Sequence, residues 1–234
     1  MASLEELKLF RTSPHPCSYL NEQATTVFID PDAEVDKALY SQLSRHGFRR
    51  SGQHLYRPHC ESCQQCILSR IPVADFALNR SQKRCLRRNN DLRVEIGEQS
   101  DMHRDYPLYA RYIRARHREG DMYPPSEEQF RSFLSAEWGV TRFARFYRDE
   151  TLIAVSVFDL LDDGLSAVYT FFDPLEDKRG LGNFAILWQI EQTRRLGLDY
   201  LYLGYWIKGC RKMSYKIRFR PLQLYIDRRW LTLG

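Results

Sequence analysis

The stretches Leu152-Ile-Ala-Val-Ser-Val-Phe-Asp-Leu160, Asp162-Asp163-Gly164 and Leu165-Ser-Ala-Val-Tyr-Thr-Phe-Phe172 read as two β-rich runs joined by a hairpin turn. Beyond them, Arg179-Gly180-Leu181-Gly182 opens a helix whose wide apolar face includes Leu181, Phe184, Ala185, Leu187 and Trp188. Leu198 to Leu203 follows as a buried strand, and Leu222 to Ile226 as a final one. Antiparallel pair, glycine turn, helix, strand: this order predicts an α+β sheet with a helix packed behind it.

Upstream the pattern is less regular. Leu108, Tyr109, Tyr112 and Ile113 mark a helix face, and Pro125-Ser126 opens another helix with Gln129 completing a capping box. Asn79 to Asn90 reads as a basic helix with Arg80, Arg84, Arg87 and Arg88 on one face. Ile67 to Phe76 is a β-like run broken by Pro72. Asp32 to His46 is an early helix, capped by Asp32, striped by Val35, Ala38, Leu39 and Leu43, and closed at Gly47. The polar stretch Gly97 to Arg104 is the candidate boundary, dividing a small segment 1–96 from a larger one, 97–234.

The 234 residues fit one large domain or two small ones, and a composition 43% hydrophobic and 28% charged is globular. No apolar run is long enough to span a membrane, and the first residues lack a basic, then apolar, leader pattern. Six cysteines are too sparse for a disulfide scaffold and point to a reducing cytoplasm. Secreted, membrane-spanning and disordered classes are set aside.

The net charge of +5 is mild, but its distribution is not. Between Tyr200 and Ile226 lie Lys208, Arg211, Lys212, Lys216, Arg218 and Arg220 with no acidic residue. A second block holds Arg80, Lys83, Arg84, Arg87, Arg88 and Arg93, opposed only by Asp91. Two such segments suggest a polyanionic partner, against the plainer reading of two solvated faces.

Three motifs carry chemistry. The turn at Gly180 presents backbone N–H groups at a helix start, suited to a phosphate or a developing oxyanion. It resembles the pyrophosphate loop of the GCN5-related acetyltransferase fold, although Phe184 stands where that loop has a small residue. Cys60-Glu-Ser-Cys63-Gln-Gln-Cys66 spaces three thiols for one soft cation, zinc or an iron–sulfur cluster, with Cys17, His15 or His59 as a fourth ligand. The alternative is a set of reduced thiols. From Leu203 to Pro221, aromatics alternate with bases, as in surfaces that stack nucleobases and meet phosphates; the alternative is ordinary core with solvated lysines.

Taken together, these pieces resemble a known family. Pro16-Cys17-Ser18-Tyr19-Leu20, Gly47-Phe48-Arg49-Arg50-Ser51-Gly52, Tyr56-Arg57-Pro58-His59-Cys60-x-x-Cys63-x-x-Cys66 and Arg70-Ile71-Pro72-Val73 come first. Ser81-Gln82-Lys83-Arg84, Arg88-Asn89, Tyr202-Leu203-Gly204-Tyr205-Trp206-Ile207, Cys210-x-Lys212-Met213-x-Tyr215-Lys216 and Phe219-x-Pro221 follow. The joint pattern resembles the bacterial leucyl-tRNA–protein transferases, short relatives of the arginyl-tRNA–protein transferases. The resemblance implies a cytoplasmic enzyme of the N-degron pathway with a cysteine-containing N-terminal domain for degron recognition and an acetyltransferase-like C-terminal domain. It would move an amino acid from a charged tRNA to the α-amine of proteins beginning with Asp or Glu; DNA and membranes are not expected partners.

An α-amino group has a pKa near ~7.7–8.0, so much of it is already a free nucleophile at cytoplasmic pH. Attack on an aminoacyl ester needs no ATP, no required cofactor and no covalent enzyme intermediate; the protein supplies orientation and charge stabilisation. No Ser–His–Asp or Cys–His constellation is evident, and none of the six histidines falls in the strand–turn–helix region. Tyr205, Lys212, Tyr215 and Lys216 are the candidates for positioning or oxyanion stabilisation. Lys208, Arg211, Lys212 and Lys216 are candidates for tRNA binding. Arg70, Arg80, Lys83 and Arg84 are candidates for the acceptor carboxylate, and Cys17, Cys60, Cys63 and Cys66 for a metal. Leucine rather than arginine as donor rests on the short length and C-terminal signature. An arginyl transferase, a coenzyme A-dependent acetyltransferase and a zinc-dependent RNA-binding module are the competing readings.

Overall fold

In the computed structural model, which describes residues 7–233, the chain begins with β1 (Leu9–Arg11), β2 (His15–Pro16), β3 (Gln23–Ala24), β4 (Thr26–Ile29), α1 (Lys37–Arg45), β5 (Arg49–Ser51) and β6 (His54–Pro58). Strands β1, β4, β6 and β5 form a small antiparallel sheet in that order, and β2 pairs with β3. Then come β7 (Ile67–Pro72), α2 (Arg80–Arg88), β8 (Leu92–Gly97), α3 (Asp105–Arg116), α4 (Glu127–Leu134), β9 (Thr141–Arg148), β10 (Thr151–Leu160) and β11 (Gly164–Phe172). A 3₁₀ segment (Pro174–Arg179), α5 (Leu181–Arg195), β12 (Tyr200–Trp206), a second 3₁₀ segment (Arg211–Arg218), β13 (Leu222–Ile226) and β14 (Arg229–Leu233) complete it.

The expected hairpin, β10–β11, lies inside an eight-stranded mixed sheet of order β14-β13-β7-β12-β11-β10-β9-β8. Every pairing in it is antiparallel except β11 with β12, which α5 connects as a crossover. Alternation along the strands sends side chains to two faces. On one, Leu181, Phe184, Leu187 and Ile190 of α5 pack on Ala154, Phe158, Leu201 and Leu203. On the other, Tyr109, Ile113, Phe130 and Leu134 of α3 and α4 pack on Phe143, Val155, Val157 and Phe171. Beside them, Leu39, Tyr40 and Leu43 of α1 and Leu55 of β6 cover Leu68, Tyr202 and Tyr205. Each fully buried aliphatic or aromatic side chain contributes roughly 1.5–3 kcal/mol.

Residues from both sides of the boundary expected at 96 share the large sheet: β7 sits between β12 and β13, and β8 forms the opposite edge. A buried ion pair ties the small sheet to the large one. Arg50 Nε and Nη2 donate to the Asp159 carboxylate at 2.6 and 2.7 Å, and the Tyr40 and Thr141 hydroxyls donate to it as well. Arg145 of β9 makes a second, to Asp105 at the start of α3.

Three local expectations need correction. The first helix starts at Lys37, capped by Asp36, whose carboxylate accepts the Leu39 N–H at 2.7 Å; Asp32 instead sits in a turn on Asp30. Ser126 does cap α4, but Gln129 does not return the bond: its Oε1 accepts from the Tyr109 hydroxyl, and its amide N–H donates to the Asp121 carbonyl. Strands β1 to β6, β8, β9 and β14 have no counterpart among the expected elements. Among the described residues no helix is long and apolar enough to cross a membrane.

Candidate active site in a strand splay

The parallel pair β11–β12 is paired at only three positions, Gly164↔Tyr200, Leu165↔Leu201 and Ser166↔Tyr202. Beyond Ser166 the two strands separate. A register shift between Tyr202 and Gly204 and a φ of +74° at Gly204 bend β12 there. Glycine is required at this point: that φ disfavours other residues, and a Cβ would stand 3.2 Å from the Arg49 guanidinium. Arg49 enters the gap from β5, donating to Ser166 Oγ at 2.6 Å and to the Ala167 carbonyl.

Lys216, on the second 3₁₀ segment, meets β12 one residue beyond Gly204. It is 5% exposed, and its Nζ donates to the Tyr205 carbonyl. Burial first, then the Arg49 charge, push its ammonium down from the usual lysine range to about 7, while Cys210 and Cys66 act weakly the other way. A lysine with that value can both give and take a proton near pH 7. Tyr205 is buried and donates its hydroxyl to the Gly47 carbonyl at 2.6 Å. Tyr215 has its ring 5.9 Å from Lys216 Nζ. Burial pushes the Tyr215 phenol up to about 12 and that of Tyr205 well above its ordinary value, so both stay neutral.

The structure divides the expected residue sets. Lys208, Arg211 and Lys212 are exposed, whereas Lys216 is in the interior. Arg80, Lys83 and Arg84 are exposed on α2, and Arg84 lines a pocket of about 330 Å³ with Arg88, Asn183 and Arg218 at the start of α5. Arg70 is not with them. It is buried in the middle of the large sheet, its guanidinium 3.5 Å from the Tyr200 ring centre and 4.0 Å from that of Trp230, with Nε donating to Gln223. Gly180 adopts the left-handed conformation expected of the turn, but Arg179 beside it is already paired with Asp91 and Glu176.

Cys17, Cys60, Cys63 and Cys66 line one pocket of about 340 Å³. Burial pushes the Cys66 thiol up to about 12, and Cys60, Cys17 and Cys63 add to it. Among the described residues, however, no group of three His, Cys, Asp or Glu side chains is arranged to hold a metal ion.

Two residues were missed. Arg49 lay inside a quoted motif, which was the available signal, but nothing local distinguishes it from Arg50. The tertiary fold brings His117 within electrostatic reach of Lys212, with its ring centre 5.2 Å from that of Tyr112. Burial, then Lys212 and Arg116, lower its ordinary value, so the ring is neutral at pH 7.

Comparison with known proteins bears on what this cleft is for. Residues 15–84 match the family model for the N terminus of arginine-tRNA-protein transferase, and residues 104–226 match that for its C terminus. The chain is 57% identical over 99% of its length to an aspartate/glutamate leucyltransferase of Saccharophagus degradans, covering 99% of that protein. It is 56% identical, end to end, to the protein of that name from Teredinibacter turnerae (97% of that protein), and 55% identical to one from Pseudomonas aeruginosa (100% of both chains). Among solved structures, L-PGS from Bacillus licheniformis overlaps with a TM-score of 0.49 at 7% identity, covering 61% of this chain and 46% of that one.

Proposed function

The chain belongs to the arginine-tRNA–protein transferase family, and from that premise we propose that it transfers leucine from Leu-tRNA to the α-amine of proteins beginning with Asp or Glu. The observation that carries the reading is its end-to-end likeness to proteins named for that activity. The family acts on aminoacyl-tRNA and protein, and this chain is read as an aminoacyltransferase working in the cytoplasm.

The reaction is an acyl transfer. The acceptor amine attacks the ester carbonyl, a C–N bond forms, the ester C–O bond breaks, and the amine's proton ends on the departing ribose oxygen. We place this at the β11–β12 splay, where neutral Lys216 takes the proton from the attacking amine and returns it to the leaving oxygen. Tyr205 holds the cleft wall through Gly47, and Tyr215 shields Lys216 from water. Exposed Lys208, Arg211 and Lys212 meet the tRNA backbone; exposed Arg80, Lys83 and Arg84 meet the acceptor carboxylate. Arg70, already engaged by Gln223, Tyr200 and Trp230, is kept for supporting the large sheet. The crossover β11–α5–β12, with its glycine turn, supports an acetyltransferase-like core, and the cysteine-lined pocket is assigned to the acceptor-recognising part.

The test is a transfer assay with Leu-tRNA or Arg-tRNA and peptides starting with Asp, Glu, Ala or Lys. Leucine should go to the Asp and Glu peptides and not to the Lys peptide. Robust arginine transfer without leucine transfer would sink the donor assignment and leave the family standing.

A further inference from the structure

Arg49 is a cation in the cleft that the proposed chemistry does not use, and its surroundings are unusual. Among the described residues it meets no carboxylate: its donors go to Ser166 Oγ and the Ala167 carbonyl, both neutral. These acceptors belong to β11 at the point where pairing to β12 ends, since Ser166↔Tyr202 is the last paired position. Arg49 thus occupies, on β11, the place a continuing neighbour strand would take. Its guanidinium lies against the bare backbone of Gly204, and the next carbonyl along, that of Tyr205, holds the Lys216 amine. Two cations from distant parts of the chain are therefore brought to consecutive residues of one strand.

We infer that Arg49 is a positioning residue for the acyl transfer, wedging the splay open on one side and presenting its fixed charge to Lys216 on the other. The inference rests on the reading of the cleft given above. Like charges at close range disfavour one another's ionised form, and an arginine does not deprotonate, so the lysine yields. The titratable groups acting on Lys216 are Arg49 from β5, Cys66 from the loop before β7 and Cys210 from its own loop; among the described residues no carboxylate acts on it. Tyr205 and Tyr215 beside it are neutral. With its amine free of a proton, Lys216 can accept one from the attacking α-amine; with the amine charged, that route is closed. The plainer alternative is that Arg49 only clasps the small sheet to the large one, as Arg50 does.

Two variants separate these roles. Arg49→Met keeps the length and removes the charge; Arg49→Lys keeps the charge and loses the planar fork. Single-turnover leucine transfer would be followed from pH 6 to 8.5 at saturating acceptor peptide and tRNA. In parallel, the Lys216 side-chain Cε resonance would be titrated by NMR in the tRNA-free protein, assigned by its loss in Lys216→Arg. The acceptor titrates identically with every variant, so a shift between variants belongs to the enzyme. For Arg49→Met we expect the acidic limb and the Lys216 titration to move up together by roughly one pH unit, with transfer at pH 6.5 falling about tenfold and recovering toward pH 8.5. Arg49→Lys should hold the wild-type limb while its maximum falls. A uniform loss at every pH with unmoved Lys216 titration would overturn the inference. Should the Met variant not fold, Arg49→Lys decides: a displaced limb at an unchanged maximum would overturn it. If the wild type transfers no leucine, the functional reading falls, while the Lys216 titration still tests the charge relation by itself.

Discussion

Arg49 and Arg50 are consecutive residues of one strand, and the chain treats their charges in opposite ways. Arg50 turns to a fully buried carboxylate, Asp159, which two hydroxyls also satisfy, so a network of mutually paired groups stands where the small sheet meets the large one. Arg49 turns to neutral acceptors and to a buried lysine. The first environment is electrically closed and the second is left open. Closed networks hold elements in register; a cleft with uncompensated cations costs stability and is retained where it acts on a substrate or on another titrating group.

The hardest way to break the contrast is to open the closed site. Asp159→Asn leaves Arg50 buried without its counter-charge and should cost about 3–5 kcal/mol in urea unfolding. A loss under ~1 kcal/mol would mean that packing, not charge pairing, joins the two sheets there.

Closing the open site should do the reverse. Lys216→Met should lower single-turnover transfer by about 10²–10⁴-fold, as expected for losing a general base. It should also stabilise the fold. The folded-state value of Lys216, about 7, lies below its ordinary 10.5, so the unfolded chain binds the extra proton between those two values. Wild-type stability therefore rises with pH across that window, and the full cost of the buried lysine stands at pH 7 and below. The Met variant lacks this slope and should gain most over wild type near pH 6.5 and least near pH 9.5, read by urea midpoints. A Met variant less stable at pH 6.5 would show that the amine's bond to the Tyr205 carbonyl outweighs the buried charge.

The smallest effects belong to cations that water already serves. Lys208→Ala and Lys212→Ala should each weaken tRNA binding modestly and lower the salt slope by about one unit or less, with acceptor peptide affinity unchanged. Unchanged slopes with weakened peptide binding would exchange the two basic surfaces.

The legible parts of the sequence were those whose partners lie close by. The β10–β11 hairpin follows from two β-rich runs and an Asp-Gly turn, and the start of α5 from a glycine turn that takes positive φ. Strand β9 was hidden because Thr141–Arg148 carries three arginines, and only the fold shows that Arg145 is buried against Asp105. Lys216 was a candidate from its motif, but its burial and its charge state were hidden in the same way. In sequence it is one base among six; in space it has lost water and gained a neighbouring charge. Arg70 erred in the opposite direction, an apparent anion-binder that is sandwiched between aromatic rings. Element types are set by local patterning, whereas the state of a charge is set by residues more than a hundred positions away.

One further consequence belongs to the synthesis of the chain. Strand β7, made early, is hydrogen-bonded on both edges by β12 and β13, among the last strands to be made. Its partners therefore do not exist while it leaves the ribosome, and the sheet closes only after some 130–150 further residues have been added. Contacts of such sequence separation slow folding and prolong the exposure of unpaired edges. The nascent Ile67–Pro72 segment, nearly all of it destined for the interior, stays without its sheet partners over that whole interval.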